Sequence, residues 1–265
     1  MIDAHDRERE LDALAAALAA AAGTRIPIPP ISAGRPWLGA AEAYAIQRRI
    51  VAPRIAGGDP VVGWKVGLTS EAMRRQLNVD QPDYAALLAS MHVEDGATLE
   101  RAAFIAPRIE AEIAFRLRKP LRGPGVTADD VLDATEEVLP SLELIDSRIA
   151  DWKITLPDTI ADIASSARFI VGRVGRPAGE LDLQAMEVTV TRNGEQVGAG
   201  IGAAVLGDPA LAVAWAANTL GALGETMEAG HVVMPGAVHA SVPVAAGDTF
   251  TATFAGLGTV TVTFR

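Results

Sequence analysis

The sequence predicts an α+β protein, with a helical N-terminal segment (residues 1–80) packed on a mostly β body (residues 81–265). Apolar residues recur at helical spacing through the first part of the chain, beginning with the alanine-rich run Asp6–Ala22. From Arg108 onward, short runs alternate apolar and polar residues, the period of a half-buried strand. The last third is divided by tight-turn signals, above all Asn193-Gly194. With 265 residues, the two parts can share one core and count as one domain.

The elements follow in order. Asp6–Ala22 ends at Gly23, and the connector Ile26-Pro27-Ile28-Pro29-Pro30 cannot be helical. Ala40–Ile55 carries Ala43, Ile46 and Ile50 on one face and stops at Gly57-Gly58, with Pro53 near its end. Val61–Leu68 reads as a strand, and Ser70 caps a brief helix to Leu77 that Asn78 closes. Arg108–Leu117 is a strand. Thr127-x-x-Asp130 is a capping box expected to open a helix through Leu139, ended by Pro140. Ser141–Ile145 is extended. Met186–Arg192 and Glu195–Gly198 form a hairpin around Asn193-Gly194, and Asp208-Pro209 opens a helix to about Leu220. Thr249–Phe254 and Thr259–Phe264 make a terminal hairpin.

Composition excludes several functions. The formal charge is −10 and the chain has four Trp and two Tyr, which disfavours a phosphate backbone and a base-stacking platform. No nucleic-acid partner is expected. The absence of cysteine removes thiol nucleophiles, zinc–cysteine sites and iron–sulfur clusters. No run of about 18 consecutive apolar residues occurs, so no membrane partner is expected and the cytoplasm is the default location. Gly198, Gly200, Gly202 and Gly207 do not have the dinucleotide spacing and read instead as close packing or a turn. No G-x-S-x-G elbow supports a serine nucleophile.

The chemistry concentrates in Pro107–Phe115. On a strand, Glu110 and Glu112 share one face while Ile109, Ala111, Ile113 and Phe115 take the other. A third acid, Glu143, lies in the similarly apolar Leu142-Glu143-Leu144-Ile145. Burying unpaired carboxylates costs several kcal/mol each. A hard divalent cation would resolve all three, and oxygen donors without His or Cys suit Mg²⁺ or Mn²⁺. The other solution is an ion pair with Arg108, Arg148 or Lys153, and the strand pattern alone leaves both open.

Five segments together decide between them. Gly63–Ser70, Val79–Tyr84, Pro107–Phe115, Leu142–Trp152 and Asp158–Asp162 resemble, in order, the 2-keto-4-pentenoate hydratase and 4-oxalocrotonate decarboxylase family of the fumarylacetoacetate hydrolase superfamily. The resemblance covers nearly all of the chain after about residue 40. It implies a mixed β-roll or sandwich and an Mg²⁺ or Mn²⁺ ion on Glu110, Glu112 and Glu143. It also implies a small 2-hydroxydienoate or 2-oxo-enoate substrate, a homo-oligomer, and association with a pathway aldolase or a homologous decarboxylase or hydratase. By the same resemblance Lys65 and Asp83 are the catalytic candidates, and Leu68, Asp158, Ser165 and Ser166 line the substrate site. Two stretches depart from the family pattern. Ile163 stands where the D-T-[IV]-A-D-N-A-S motif has an amide, and Met234–Ala240 differs from the usual T-G-[AG] segment, with His239 a candidate to reach the pocket.

The reaction implied is hydration of 2-hydroxypenta-2,4-dienoate or a close analogue to 4-hydroxy-2-oxopentanoate, in the meta-cleavage degradation of aromatic compounds. The rivals are 4-oxalocrotonate (2-oxo-3-hexenedioate) decarboxylation, acylpyruvate C–C hydrolysis, and a catalytically silent partner of an active homologue. The retained acids Glu110, Glu112 and Glu143 argue against silence.

Overall fold

The computed structural model describes residues 4–71, 74, 79 and 81–265. Helix α1 (Ala4–Thr24) buries Leu11, Leu14, Ala15 and Leu18, one face at helical spacing, against Ala43 and Ile46 of α2 (Ala40–Ala56). The Pro-rich connector between them runs beside a later loop, where Ile28 N–H donates to Arg148 O at 2.9 Å and Ala150 N–H to Ile28 O at 2.8 Å. The helix expected from Ser70 to Leu77, with its closure at Asn78, lies largely outside the described residues.

Two mixed sheets form the body. The larger contains β1 (Val61–Gly67), β2 (Asp83–Leu88), β3 (His92–Glu94), β5 (Arg108–Leu117), β6 (Thr135–Ile145), β7 (Ser166–Val171), β10 (Val232–Met234) and β11 (Val242–Pro243). Their order is β2-β1-β10-β5-β6-β7-β3, with β11 on β5. The smaller sheet has the order β4 (Thr98–Leu99), β13 (Gly258–Phe264), β12 (Thr249–Phe254), β8 (Glu187–Arg192), β9 (Glu195–Ile201). Phe250, Phe254 and Phe264 of the smaller sheet and Ile113, Phe115 and Leu142 of the larger belong to one buried cluster. The expected β8–β9 hairpin is present, with Asn193 at φ 54° and Gly194 at φ 87° in its two-residue turn.

Two expectations are corrected here. The boundary near residue 80 is too late, because β1 lies inside the large sheet between β2 and β10, and the helical segment ends at Ala56. The helix opened by the Thr127 capping box stops early, as α3 (Ala128–Ala134). Residues from Thr135 join β6 instead, pairing Thr135 with Leu117 and Val138 with Phe115 of β5. Sheet pairing outweighs the local helix signal. Pro140 lies one residue beyond the Ser141–Val171 end of the β7 ladder, a position that accommodates a residue lacking an N–H.

Helix α4 (Leu156–Ala161) precedes β7, and α5 (Pro209–Ala222) starts at Asp208, whose Oδ1 accepts Ala210 N–H at 2.8 Å. Gly202–Ala222 is long and apolar enough to cross a membrane by length and composition alone. In the fold, α5 packs Ala210, Val213, Ala217 and Leu220 into the core. The glycine run is close packing, as expected: a Cβ on Gly200 would sit 1.9 Å from Val238 O, and one on Gly202 1.7 Å from Leu183 O.

Helix α2 also reaches the sheet. Gln47, buried, donates its Nε2 to Tyr84 O at 3.2 Å and to Ile160 O at 2.8 Å, while Tyr44 stacks on Tyr84 with centroids 4.5 Å apart.

Candidate metal and catalytic site

Strands β5 and β6 pair along their whole lengths and set Glu110 directly opposite Glu143, and Glu112 opposite Ser141. Alternation along β5 sends Ile109, Ala111 and Ile113 into the core with no exposure. Glu110, Glu112 and Glu143 each offer a carboxylate oxygen, all within 4.8 Å of one another. Glu112 Oε2 accepts Gly236 N–H at 2.7 Å. Both oxygens of Glu143, a residue with 0 % exposure, accept no hydrogen bond. An oxygen-only donor set with orphaned buried lone pairs fits a hard divalent cation.

Lys65 brings a positive charge against this cluster. Its Nζ lies 3.2 Å from Glu143 Oε2 and donates to Ala164 O at 3.0 Å, and the residue is only 4 % exposed. The pairings weighed from sequence do not form. Arg148 binds Asp162, Lys153 binds Asp151 at the surface, and Arg108 contacts no acid among the described residues. Lys65 and Glu143 are distant in sequence, so only the fold brings them together.

Asp83 completes the group. It sits opposite Gly67 in the β1–β2 ladder, is 1 % exposed, and neither carboxylate oxygen has a hydrogen-bond partner. A Cβ on residue 67 would lie 2.1 Å from Asp83 Oδ1, so Gly67 makes the room this side chain occupies. Burial pushes the Asp83 carboxyl up to about 6, with Lys65 opposing and Glu143 adding to the shift. Burial likewise raises Glu110 to about 7, and Glu112 well above the usual range, where Glu143 reinforces it. Lys65 shows the opposite balance: burial disfavours its charge, but Glu143, Asp83, Glu110 and Glu112 together hold it as ammonium.

Behind Lys65 the backbone takes an unusual course. Ile163, Ala164 and Ser165 have φ of 56°, 48° and 55°, three consecutive left-handed residues. Such a conformation costs roughly 1–2 kcal/mol per non-glycine residue. A buried clamp holds it. Arg148 pairs through Nε with Asp162 Oδ1, donates Nη2 to Asp162 O, and donates Nη1 to Asp146 O at 2.8 Å and Ser166 O at 3.1 Å. Asp162 Oδ2 also accepts Arg148 N–H at 3.0 Å. The clamp aims the Ala164 carbonyl at Lys65.

The remaining expected site residues are placed less simply. Leu68 follows β1 at φ 57°, partly exposed, its carbonyl accepting Arg74 Nη1 at 2.9 Å. Asp158 is fully buried. Its carboxylate accepts Ser32 N–H and Oγ at 2.9 and 2.7 Å and Thr155 N–H and Oγ at 2.9 and 2.6 Å, which uses it as a helix cap and a tie to the N-terminal connector. Ser165 Oγ turns to Asp162 Oδ2 at 3.3 Å. Ser166 lines a cavity of about 650 Å³ with Leu18, Ile50, Arg148 and Ile163, whose walls include none of Lys65, Asp83 or the three glutamates. His239 accepts Ala111 N–H at Nε2, 3.1 Å, and bonds Ala240 O through Nδ1, 2.7 Å, so it seals the edge of β5. Sequence reasoning missed the Ala164 carbonyl, the Gly236 N–H and the Arg148 clamp; for the last, a lone arginine amid apolar residues next to Asp146 and Ser147 was the available sign.

These shifts give a pH prediction with a definite sign. In the metal-free protein the carboxyls of Asp83, Glu110 and Glu112 keep protons that the unfolded chain, titrating near 4, has already released. The folded state binds more protons, so metal-free stability falls as pH rises from about 4 to about 7. Metal binding needs the charged carboxylates, so Mn²⁺ affinity is expected to rise over pH 5–8, with proton release near neutrality. Melting curves in EDTA across pH, and calorimetric Mn²⁺ titrations in two buffers of different ionisation enthalpy, measure both. Proton uptake on binding would contradict the prediction.

Sheet pairing brings together an acid triad that could hold a divalent cation, with Lys65 and Asp83 beside it, on a mixed β scaffold. Residues 62–265 match the family described as fumarylacetoacetate (FAA) hydrolase C-terminal, and the chain belongs to that family. It is 46% identical over 239 residues to a 2-hydroxyhexa-2,4-dienoate hydratase of Comamonas testosteroni, covering 89% of this chain and 90% of the relative. It is 40% identical over 257 residues to a 2-keto-4-pentenoate hydratase of Paraburkholderia phymatum, covering 97% and 98%. Among solved structures, 4-oxalocrotonate decarboxylase from Pseudomonas putida G7, complexed with magnesium and adipate, superposes with a TM-score of 0.93 at 40% identity, over 98% of each chain. The β-roll expected from the sequence is therefore the fold observed.

Proposed function

We propose that the chain is a metal-dependent hydratase that adds water to 2-hydroxypenta-2,4-dienoate, or a close analogue, to give 4-hydroxy-2-oxopentanoate. The observation that carries this reading is the convergence of Lys65 and Asp83 on the Glu110–Glu112–Glu143 triad. The three glutamates would hold Mg²⁺ or Mn²⁺, which supplies a Lewis acid for the substrate carboxylate and the negative charge developing on the C2 oxygen.

The protein's own residues account for the rest. Lys65, kept charged by four acids, is a fixed positive end for that developing charge rather than a base. Asp83, held near 6 and free of hydrogen-bond partners, is poised to carry protons at near-neutral pH. In the forward direction the C2 hydroxyl loses its proton and C5 gains one, giving the conjugated 2-oxo-3-enoate. Water then adds its oxygen to C4 and a proton to C3. Asp83 serves these transfers.

Incubation of the Mg²⁺-loaded enzyme with the dienoate in H₂¹⁸O tests the reading. Label is expected in the C4 hydroxyl. Release of CO₂ from 2-oxo-3-hexenedioate without incorporation would replace it with the decarboxylase reading, an activity named for the G7 structure. We place the enzyme in meta-cleavage catabolism of aromatic compounds, as a cytoplasmic homo-oligomer working beside a pathway aldolase or a homologous enzyme.

A further inference from the structure

The cavity of about 650 Å³ that Ser166 lines is walled by the N-terminal helices and β7 and contains no residue of the triad. Its apolar lining comes from Ala15 and Leu18 of α1, Ile50 of α2, and Met91, Phe104 and Ile163. Four arginines and three acids also line it, and nearly all of them are already satisfied. Arg49 pairs with Asp12 through Nε at 2.6 Å, Arg54 with Asp59 through Nη2 at 3.0 Å, and Arg148 with Asp162. Asp146 accepts Ile105 N–H at 2.9 Å and Ala106 N–H at 2.7 Å. Arg168 is left over. Its Cζ lies 5.6 Å over the Phe104 ring, its Nη1 donates to Ala167 O at 2.7 Å, and among the described residues it pairs with no acid. Burial and the charge of Arg54 disfavour its positive form, and Asp146 favours that form without pairing with it. Two residues back on β7, and so on the same face, Ser166 is 3 % exposed and its Oγ has no partner. A buried hydroxyl and a stacked, unpaired guanidinium in one cavity leave donors that a bound anion would satisfy.

We propose that this cavity binds a small free carboxylic acid with an apolar body, its carboxylate received by Arg168 and Ser166 and its body laid along Ala15, Leu18 and Ile50. The volume falls within the range of small-molecule sites, which are mostly apolar with a few fixed polar groups. One unpaired cation matches one negative charge. A phosphate monoester would bring a second charge, whose partner would have to be taken from an existing ion pair. The acid occupies no part of the triad, so its binding needs no metal and is independent of the reaction proposed above.

Titration calorimetry of octanoate and octylammonium, equal chains with opposite head charges, into Mn²⁺-loaded full-length protein tests this. The wild type is expected to bind one octanoate per chain at least about 10-fold more tightly than octylammonium, as one charge-assisted contact implies. The same octanoate affinity is expected in EDTA. R168Q should lose about 10-fold for octanoate without weakening octylammonium, and R168K should keep part of the preference. Ala19 lines the cavity at an exposed position, so A19W should obstruct both ligands. Wild-type Mn²⁺ affinity shows that a variant is folded; if R168Q fails that check, R168K and A19W decide. Equal affinity of the wild type for the two amphiphiles, or unchanged octanoate affinity in the folded variants, would overturn the proposal. So would octanoate binding that vanishes when Mn²⁺ is removed, since that outcome puts the acid on the metal.

Discussion

Glu112→Gln is expected to weaken Mn²⁺ binding by at least about 100-fold and to cut turnover by about three orders of magnitude, while raising the melting temperature of the metal-free protein. The substitution preserves shape, and the glutamine carbonyl can still accept the Gly236 N–H that Glu112 Oε2 accepts at 2.7 Å. What is lost is one negative charge in a set of acids crowded within 4.8 Å. Glu112 is pushed well above the usual carboxylate range by burial and by Glu143, so its charged form is a cost to the metal-free fold. Gln removes that cost and offers an NH₂ donor to its neighbours, for a gain of about 1–3 kcal/mol. An ion-paired glutamate would give the opposite sign, because its cation would be stranded at a cost of about 3–5 kcal/mol when buried. The cation present, Lys65, pairs with Glu143 instead. Melts in EDTA and Mn²⁺ calorimetry decide: a destabilised metal-free variant with unchanged Mn²⁺ affinity would end the metal-site reading.

Lys65→Met is expected to have a different signature. Turnover should fall by about 10²–10³ through loss of the fixed positive charge. Metal-free stability should fall by about 3–5 kcal/mol, since Glu143 loses its 3.2 Å partner and both its oxygens are otherwise unbonded. Mn²⁺ should bind more tightly, because one repelling charge leaves the site, and saturating Mn²⁺ should restore much of the lost stability by linkage. Thus Glu112→Gln gives a stable fold that binds metal poorly, and Lys65→Met a weak fold that binds it well. Undiminished turnover in Lys65→Met, or weaker Mn²⁺ binding, would remove Lys65 from the proposed mechanism.

The strand bearing Glu110 and Glu112 was legible in the sequence because its information is local: alternation at period two assigns faces without any partner. The hairpins and the α5 cap were legible for the same reason, each resting on turn or capping chemistry within a few residues. Where partners from elsewhere decide the outcome, the sequence misleads. Thr135–Leu139 carries a continuing helix signal yet becomes strand, because β5 lies alongside. Asp158 reads as a substrate contact within its motif, yet Ser32 and Thr155 take its carboxylate. Ile163 is visible as a departure from a family amide, but its meaning needs a dihedral angle. At φ 56°, an asparagine is tolerated and a β-branched residue is not favoured, so Ile163 is held there by burial and by the Arg148 clamp.

The contact made by Gln47 bears on how this enzyme can be inherited or rebuilt. Its amide joins the carbonyl of Tyr84, next to Asp83, to that of Ile160, just ahead of the left-handed turn that faces Lys65. The family match begins at residue 62, after α2 has ended. The border of the family match therefore leaves out α2, although the Paraburkholderia phymatum relative matches over 97% of this chain. A recombination joint or an engineered graft placed at 62 would carry every acid of the triad and leave behind the side chain that ties two of its supporting backbones together. Exchange among relatives is expected to preserve function only when the N-terminal helices travel with the β body.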